Sequence, residues 1–224
     1  MAQSLPIHGV GCWVLKTSVH NPFIYSDVFD WYAVDYDALD SFKIDKVNKP
    51  LFIAFYSKFN ADFIIKEMEK YKGKITGVIW DFEIANTPQT VAEKDFKKIH
   101  ARAKALNLKF GISTWPNPKN SLKTNGVSYR NAPSFADFLI PQLYAQRHKY
   151  SREKLLDLLS MERKETNIPI VCCLTIETIK TTPPQTLTPA QILGFYKNLP
   201  VSGYLVWNTK LLDTTYINAL SQLK

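Results

Sequence analysis

Hydrophobic residues along the chain follow two alternating spacings. Short runs that are almost continuously apolar are typical of buried strands, and several segments between them carry apolar residues at helical spacing. Eight strands are predicted, at Pro6–Leu15, Phe29–Tyr36, Pro50–Tyr56, Ile75–Glu83, Leu108–Thr114, Ala136–Tyr144, Ile168–Ile176 and Val201–Trp207. Five helices are predicted, at Ala61–Tyr71, Thr90–Leu106, Ser151–Lys164, Thr188–Leu199 and Thr214–Leu223.

The order of these elements indicates the fold class. Strands that alternate with helices, and that are apolar on both faces, indicate a parallel sheet covered by helices. About eight repeats in 224 residues favour an α/β protein with a single (β/α)8 barrel, the TIM barrel. No linker divides the chain, so we expect one domain over residues 1–224. An open doubly wound sheet is the alternative, because helices after the first, second and fifth strands are weakly marked.

Helix starts and loops carry signals of their own. Thr90 followed by Glu93 fits a capping box, and Thr188 is expected to cap the helix that follows it. A Thr- and Pro-rich loop is predicted just before Thr188. The segment Lys119–Arg130 is predicted to be a polar loop.

The chemistry concentrates in the fourth predicted strand, Ile75–Glu83. Successive side chains of a strand point to opposite faces, so Asp81 and Glu83 share one face while Phe82 lies on the other. The two carboxylates are separated by about 6–7 Å along the chain at the usual strand rise. A carboxyl group beside a second carboxylate keeps its proton to higher pH, which suits a general acid.

Other strand ends add polar and aromatic side chains. In a barrel the carboxyl ends of all strands meet at one mouth, where active sites lie. An acid, a hydroxyl and an indole face suit sugar chemistry, because they can protonate a leaving oxygen, hold a polar substituent and stack on a sugar ring. The residues predicted at this mouth, besides the acid pair, are Trp115, Gln142, Tyr144, Glu177 and Trp207.

These residues carry a family resemblance. Gly77–Glu83 (GVIWDFE) resembles the strand-four signature DGxDxDxE of family 18 glycoside hydrolases, the chitinases and their relatives. Gln142-Leu143-Tyr144 is similar to the Q-x-Y of strand six in the plant-type, hevamine-like branch. Gly203–Trp207 is similar to strand eight of that branch, and Thr114–Pro118 is loosely similar to the segment after strand five. The similarity runs in order from about Lys74 to the end of the chain.

The resemblance implies a retaining, substrate-assisted glycosidase that cleaves β-linked N-acetylglucosamine-containing polysaccharide. Glu83 would protonate the glycosidic oxygen, and the substrate's own acetamido oxygen would attack the anomeric carbon. Asp81 would orient the acetamido nitrogen and stabilise its positive charge, and Tyr144 would hydrogen-bond to the same group. Glu83, Asp81 and Tyr144 are therefore the implied catalytic residues. The implied substrate-binding residues are Gln142, Trp115 and Trp207.

Two positions depart from the signature. Thr76 stands where the family has its first Asp, and Ile79 stands where it has the middle Asp. In the family that middle Asp shares a proton with the next one, a partner that Asp81 lacks here. The strand-three pattern SxGG is also absent, with Ser57 in its region. Because some members of the family are lectins or enzyme inhibitors, a non-catalytic carbohydrate-binding barrel is an alternative, although the intact acid pair favours an enzyme.

A lysozyme-like muramidase of another barrel family is the second alternative. Such enzymes also carry Asp-x-Glu at a strand end, but they have a further Asp on strand one. The first predicted strand of this chain offers Gly9, Gly11 and Cys12 instead. The formal net charge of +8 nevertheless suits an acidic bacterial wall better than neutral chitin.

Composition bounds the partners and the compartment. The lysines are scattered and no nucleic-acid-binding signature is present, so we expect a polysaccharide partner, no nucleic acid and no membrane. The four histidines lack metal-ligand spacing and no nucleotide motif occurs, so no metal or cofactor is predicted. Three cysteines, an odd number, are expected to be free buried thiols in a monomer. No signal peptide or membrane span is evident, so two compartments stay open: the protein is secreted if a leader was removed, and cytoplasmic otherwise.

Overall fold

Eight parallel strands alternate with helices in the computed structural model, which describes residues 7–178 and 185–224. All eight predicted strands are present there, which confirms the strand assignment. The strands are β1 Val10–Val14, β2 Trp31–Asp35, β3 Leu51–Tyr56, β4 Gly77–Asp81, β5 Lys109–Thr114, β6 Phe138–Pro141, β7 Val171–Thr175 and β8 Gly203–Trp207. The helices are α1 Ala61–Lys70, α2 Gln89–Ala105, α3 Pro118–Asn125, α4 Arg152–Glu165, α5 Pro189–Tyr196 and α6 Thr214–Leu220. Pro6 and most of the predicted Thr- and Pro-rich loop lie outside the described residues.

The chain folds into two compact units. The first unit comprises Met1–Pro50, Leu143–Asp157 and Val171–Lys224, and the second comprises Leu51–Gln142 and Leu158–Ile170. Each unit holds four of the eight strands. The expectation of one domain over residues 1–224 stays a prediction.

In the first unit the strands pair in the order β2-β1-β8-β7, all parallel. Gly11 of β1 lies under the ring of Trp31, where a Cβ atom would come within 2.3 Å of the indole. This close approach explains why a glycine is needed in a fully buried strand. Short 3-10 turns at Pro22–Tyr25, Tyr36–Ala38 and Ile44–Lys46 follow β1 and β2, where helices are weakly marked in the sequence.

In the second unit the parallel order is β6-β5-β4-β3. The register places Asp81 of β4 opposite Tyr56 of β3 and Ser113 of β5. Trp80, Phe82 and Phe96 pack edge to face on the opposite side of β4, with ring centroids 4.8 to 5.6 Å apart. This aromatic cluster fixes which face of β4 the two acids occupy, because only the apolar face can be buried against α2.

Two predicted strands end earlier than expected. The fourth was predicted to reach Glu83 but ends at Asp81, because the Glu83 amide donates to the Ser57 hydroxyl at 2.8 Å instead of to a strand. The sixth was predicted to reach Tyr144 but ends at Pro141, and just beyond it the Gln142 amide still donates to the neighbouring strand, to the Thr114 carbonyl at 3.0 Å. The site residues beyond these points therefore lie on loops that begin directly after the strands.

The starts of two helices were predicted with different success. Thr188 caps α5 as predicted, in a capping box with Gln191. The predicted box of Thr90 and Glu93 is wrong, because α2 begins one residue earlier, after Pro88, which offers no capping side chain. Glu93 is buried instead and accepts hydrogen bonds from the amides of Gln89 and Asn131, both at 2.7 Å.

The predicted loop Lys119–Arg130 is also wrong, because its first part is the helix α3, Pro118–Asn125. Asn117 caps this helix, proline occupies its first turn, and Gly126 ends it in the left-handed conformation, at φ 72°. Cap, proline and terminal glycine are the usual helix boundary signals, so α3 could have been found from them. Its polar composition hid it, because few apolar residues show helical spacing.

Cysteines and membrane propensity were also predicted. Cys12, Cys172 and Cys173 are buried and form no disulfide, as expected. Among the residues that the structure describes, no helix has both the length and the apolar character needed to span a membrane.

Candidate active site

The two acids lie at the end of β4, on the face predicted from the sequence. Asp81 is the last residue of the strand and is half-buried, whereas Glu83 lies two residues further and is exposed. Phe82 between them points the other way and is only 2 % exposed. Two carboxyl groups therefore lie side by side on one face, and the buried ring of Phe82 lies on the other.

The amide of Gln142 bridges the two acids. Its Nε2 donates to Asp81 Oδ1 at 3.1 Å and to Glu83 Oε1 at 2.6 Å. The amide nitrogen carries two protons, so it can donate to both carboxyl oxygens at once, and this fixes the orientation of the side chain. Gln142 is 3 % exposed, and its Oε1 has no hydrogen-bond partner within residues 7–178 and 185–224. The sequence predicted a substrate-binding role for Gln142, whereas the contacts in the structure join it to the acid pair.

Asp81 has a second donor on the neighbouring strand. Ser113 Oγ lies 2.7 Å from Asp81 Oδ1, and Ser113 is fully buried on β5. Ile79, two residues before Asp81 on the same face, is fully buried and contributes no polar group. Ser113 and Gln142 therefore supply polar contacts to Asp81 at a site where the family 18 signature would supply a carboxyl group from β4.

The backbone between the acids is held from three sides. Ser57 Oγ donates to the Asp81 carbonyl at 3.0 Å and accepts from the Glu83 amide at 2.8 Å. The Phe82 amide donates to the Ser113 carbonyl at 3.0 Å, and the Phe82 carbonyl accepts from Asn125 Nδ2 at 2.7 Å. Glu83 is thus an exposed side chain on a fixed backbone, which is how a preorganised catalytic group is built.

Trp115 follows β5 in the same unit. It is half-buried, and its backbone carbonyl accepts a hydrogen bond from the Tyr129 hydroxyl at 2.8 Å. Tyr129 itself is 1 % exposed, and burial raises the pKa of its hydroxyl well above the usual value. The backbone position of Trp115 is therefore anchored to the core of the second unit.

Tyr144 and Trp207 stack on each other in the first unit. Their ring centroids are 5.8 Å apart at an interplanar angle of 29°. Tyr144 is 3 % exposed, and its hydroxyl lies 3.6 Å from Cys173 Sγ. His148 lies parallel to the Tyr144 ring at 6.4 Å, and the Arg147 guanidinium lies 5.7 Å from the centre of the same ring. We call Tyr144, Trp207, His148 and the adjoining Arg147 the aromatic group.

The electrostatics of the aromatic group depend on His148. Burial lowers the pKa of its imidazole, and the positive charge of Arg147 lowers it further. The imidazole is therefore neutral at neutral pH, which suits its packing against the rings of Tyr144 and Tyr150, whose centroids lie 6.4 and 5.0 Å away.

The structure brings the predicted site residues together in two sets. Asp81, Glu83 and Gln142 are in contact in the second unit, and Tyr144 and Trp207 are in contact in the first. That both sets form one site stays a prediction. Within residues 7–178 and 185–224, no cluster of three or more His, Cys, Asp or Glu side chains is placed to hold a metal ion.

Sequence reasoning missed four polar residues. Ser57 and Ser113 follow or end strands, and Asn125 lay in the segment predicted to be a loop. Asp35 ends β2 in the first unit, is 3 % exposed, and accepts a hydrogen bond from Trp13 Nε1 at 2.7 Å. A polar residue at the carboxyl end of an apolar strand is the signal that identified Asp81, and it would also have identified Ser113 and Asp35.

Comparison with known proteins supports the fold assignment. No protein-family model matches the sequence, and no curated protein matches it. A class V chitinase from Pseudomonas fluorescens Pf-5 is similar in structure, with 15% identity, a TM-score of 0.72 and coverage of 97% of this chain and 100% of that chain.

Two further solved structures are similar. A chitinase from Chromobacterium violaceum ATCC 12472 has 12% identity and a TM-score of 0.70, covering 96% of this chain and 98% of that chain. An endo-β-1,3-glucanase from Amycolatopsis mediterranei has 12% identity and a TM-score of 0.62, covering 98% of this chain and 100% of that chain. Likeness at these identities concerns the fold, and it confirms the predicted (β/α)8 barrel class.

Proposed function

We propose that this protein is a glycosidase that cleaves β-linked N-acetylglucosamine-containing polysaccharide by a retaining, substrate-assisted reaction. The observation that carries the proposal is the Asp81–Glu83 pair bridged by a single buried amide at the end of β4. Support also comes from the resemblance to the family 18 signature, and from the glycosidases among the solved structures with this fold. A fold alone does not specify an activity, so the acid pair is the main argument.

Glu83 is the general acid in this proposal. Its carboxyl group is exposed, while its backbone amide is held by Ser57. The hydrogen bond from Gln142 occupies Oε1, so the transferable proton belongs on Oε2. A proton placed on a defined oxygen can be directed at the glycosidic oxygen of a bound substrate.

Asp81 stabilises the charge that develops on the substrate. Ser113 and Gln142 both donate to its Oδ1, and these bonds favour the ionised carboxylate. A carboxylate held in this way orients the acetamido N–H and opposes the positive charge of the oxazolinium ion. Ile79 leaves no second carboxylate on β4, so the proton sharing of the family 18 signature is replaced by neutral donors.

Tyr144 and Trp207 complete the proposed site by holding the sugar. A tyrosine hydroxyl binds the acetamido group, and an indole face lies beneath the ring of the sugar. Trp115 and Gln142 are assigned to the same site as substrate-binding residues. The protein acts on oligosaccharides as a monomer, without a metal or an organic cofactor.

The decisive experiment compares substrates that differ only in the acetamido group. Purified protein is incubated with a fully acetylated chitin oligomer, with its de-acetylated counterpart and with a β-1,3-glucan oligomer, and the anomer of the first product is followed by NMR. We expect cleavage of the acetylated oligomer alone, with the β-anomer formed first. Equal rates on the acetylated and de-acetylated oligomers would exclude the acetamido nucleophile.

A non-catalytic carbohydrate-binding barrel is the second candidate, and the buried Ile79 favours it because the middle acid of the signature is missing. Binding of acetylated oligomers without any turnover would identify this function. The muramidase alternative is tested in the same series with a peptidoglycan fragment as substrate. Cleavage of peptidoglycan, with chitin oligomers untouched, would support that alternative.

A further inference from the structure

The helix α3 contributes polar side chains to the interior of the second unit. Ser121 and Asn125, one turn apart on α3, and Thr114 at the end of β5 are all fully buried. Thr114 Oγ1 lies 2.8 Å from Ser121 Oγ, Ser121 Oγ donates to Asn125 Oδ1 at 3.4 Å, and Asn125 Nδ2 donates to Thr114 Oγ1 at 3.1 Å. Because the Ser121 proton points to Asn125, Thr114 is the donor to Ser121, and the three groups form a closed ring.

One N–H of the Asn125 amide donates to a group outside this ring. Nδ2 also donates to the Phe82 carbonyl at 2.7 Å. That carbonyl oxygen and the Glu83 N–H belong to the same peptide unit, and the Glu83 N–H donates to Ser57 Oγ at 2.8 Å. The peptide unit that precedes Glu83 is thus held at both of its polar atoms, from opposite sides, by Asn125 and Ser57.

The end of α3 also holds the segment that follows Glu83. The Asn86 amide donates to the Thr124 carbonyl at 2.6 Å. Gly126 lies so close to the Thr87 carbonyl that a Cβ atom would come within 2.5 Å of it. A helix with a polar sequence therefore packs its last turn against the loop that begins at Glu83.

We infer that Asn125 is a positioning residue for Glu83, acting through the peptide unit that joins Phe82 to Glu83. The orientation of that unit sets where the Glu83 side chain leaves the backbone, and hence where its carboxyl group lies relative to Gln142 and Asp81. An amide is the side chain that fits, because it donates to Phe82 and Thr114 while accepting from Ser121. The consequence for turnover rests on the proposed glycosidase function, whereas the consequence for geometry does not.

The first test is kinetic. Asn125→Asp keeps the shape of the side chain but places an acceptor against the Phe82 carbonyl. We expect kcat on a chitin oligomer to fall at least about tenfold with KM within about twofold, because small displacements of a catalytic group are costly. Asn120→Asp, an exposed position on the same helix, is the control for charge, and Met68→Ala, a buried position on α1 of the same unit, is the control for lost stability. Both controls should keep kcat within about twofold when assayed below their unfolding transitions.

The second test needs no substrate. Gln142 Nε2 donates to Glu83 Oε1 at 2.6 Å, so its side-chain N–H resonances in an ¹⁵N-labelled sample report the position of the Glu83 carboxyl group. We expect these resonances to move in Asn125→Asp and to stay in Asn120→Asp. Ser57→Ala, at a half-buried position, releases the other end of the same peptide unit and should also move these resonances. This variant therefore provides the test if Asn125→Asp does not fold.

The outcomes separate this inference from the proposed function. Absence of turnover in the wild type, with Gln142 resonances that move in Asn125→Asp or Ser57→Ala, would overturn the glycosidase proposal and support the positioning role. Resonances that stay in place in the folded variants, or a kcat that falls equally in Met68→Ala, would overturn the positioning role.

Discussion

The acid pair in the second unit and the aromatic group in the first unit are held by different forces. Around Asp81 and Glu83, directed hydrogen bonds reach both the side chains and the peptide unit between them. Tyr144 contacts the rings of Trp207 and His148 at 5.8 and 6.4 Å between centroids, within the range where aromatic pairs attract. Hydrogen bonds weaken steeply with angle, whereas stacked rings tolerate sliding.

The difference indicates which side chains of this protein are positioned most exactly. In the proposed reaction the Glu83 proton must leave one oxygen along one direction, which a backbone fixed by buried partners favours. In the same proposal Tyr144 and Trp207 present a flat surface to the sugar, which needs less exact positioning. The effects expected below run from the largest to the smallest, and all except that of Glu162 perturb one side of this comparison.

The largest effect is expected for Glu83→Gln. The amide keeps the size of the side chain but has no proton to transfer, so kcat should fall by roughly 10²–10⁴-fold. Substrate affinity, measured by calorimetry, should change little, because the proton is needed only in the transition state. Glu69→Gln, a partly exposed position on α1 that pairs with Arg102, is the matched control. A parallel loss of affinity and rate would show that Glu83 only holds the substrate.

The next effect is expected for Ser113→Ala. This variant removes one donor from Asp81 and leaves the carboxylate in place. A hydrogen bond to a charged group is worth about 1.5–3 kcal/mol, so we expect kcat/KM to fall by roughly 10–150-fold. Ser134→Ala, on an exposed turn of the same unit, is the control. Wild-type kinetics in Ser113→Ala would mean that the neutral donors do not replace the missing carboxyl group.

Glu162 shows what happens to a buried polar group that lacks such partners. It is fully buried on α4, and neither carboxyl oxygen has a hydrogen-bond partner within the described parts of the chain. Burial raises the pKa of this carboxyl group well above its usual value. The folded protein therefore keeps the proton to higher pH than the unfolded chain does.

The sign of the pH dependence follows from this raised pKa. The stability contributed by protonated Glu162 is complete below the unfolded-state pKa of about 4.3 and is lost as pH rises through the folded-state pKa. We expect Glu162→Met to be more stable than the wild type by about 1–3 kcal/mol at pH 8, and to differ less at pH 4. Urea unfolding at both pH values measures this difference in the free energy of unfolding. Glu165→Gln, on the same helix, is the control. An equal difference at both pH values would contradict the prediction.

The smallest effect is expected for Tyr144→Phe. The ring contacts with Trp207 and His148 remain, and only the hydroxyl is lost. A single hydrogen bond is worth about 0.5–1.5 kcal/mol, which corresponds to a loss of roughly 2–12-fold in kcat/KM on acetylated oligomers. Tyr150→Phe, which alters the same ring stack one position further along, is the control. A larger loss of kcat/KM than in Ser113→Ala would show that the aromatic group must be positioned as exactly as the acid pair.

The strands were predictable because their signal is local. Val10–Val14 and Val171–Thr175 are buried at every position, and such runs are read directly from the sequence. The spacing of Asp81 and Glu83 likewise gave their shared face. The helix α3 was missed, because its buried positions, including Ser121 and Asn125, are polar and show no apolar periodicity.

The partners of the acids could not be predicted for a different reason. Ser113 meets Asp81 through the register between β4 and β5, 32 residues apart in sequence. Gln142 was selected by its resemblance to a motif, but its bond to Glu83 spans 59 residues. Contacts of this kind depend on how strands align, and a pattern read along one strand carries no information about that alignment.

The alternation of Trp80, Asp81, Phe82 and Glu83 also protects the folding of β4. If the strand shifted by one residue against β3 and β5, each side chain would move to the opposite face. The Asp81 carboxylate would then turn toward the apolar cover, and the Trp80 ring would lose its contact with Phe96. A shifted pairing is therefore destabilised by more free energy than it would be in a strand without charged residues. The residues proposed for chemistry thus also disfavour intermediates with the wrong register while the sheet assembles.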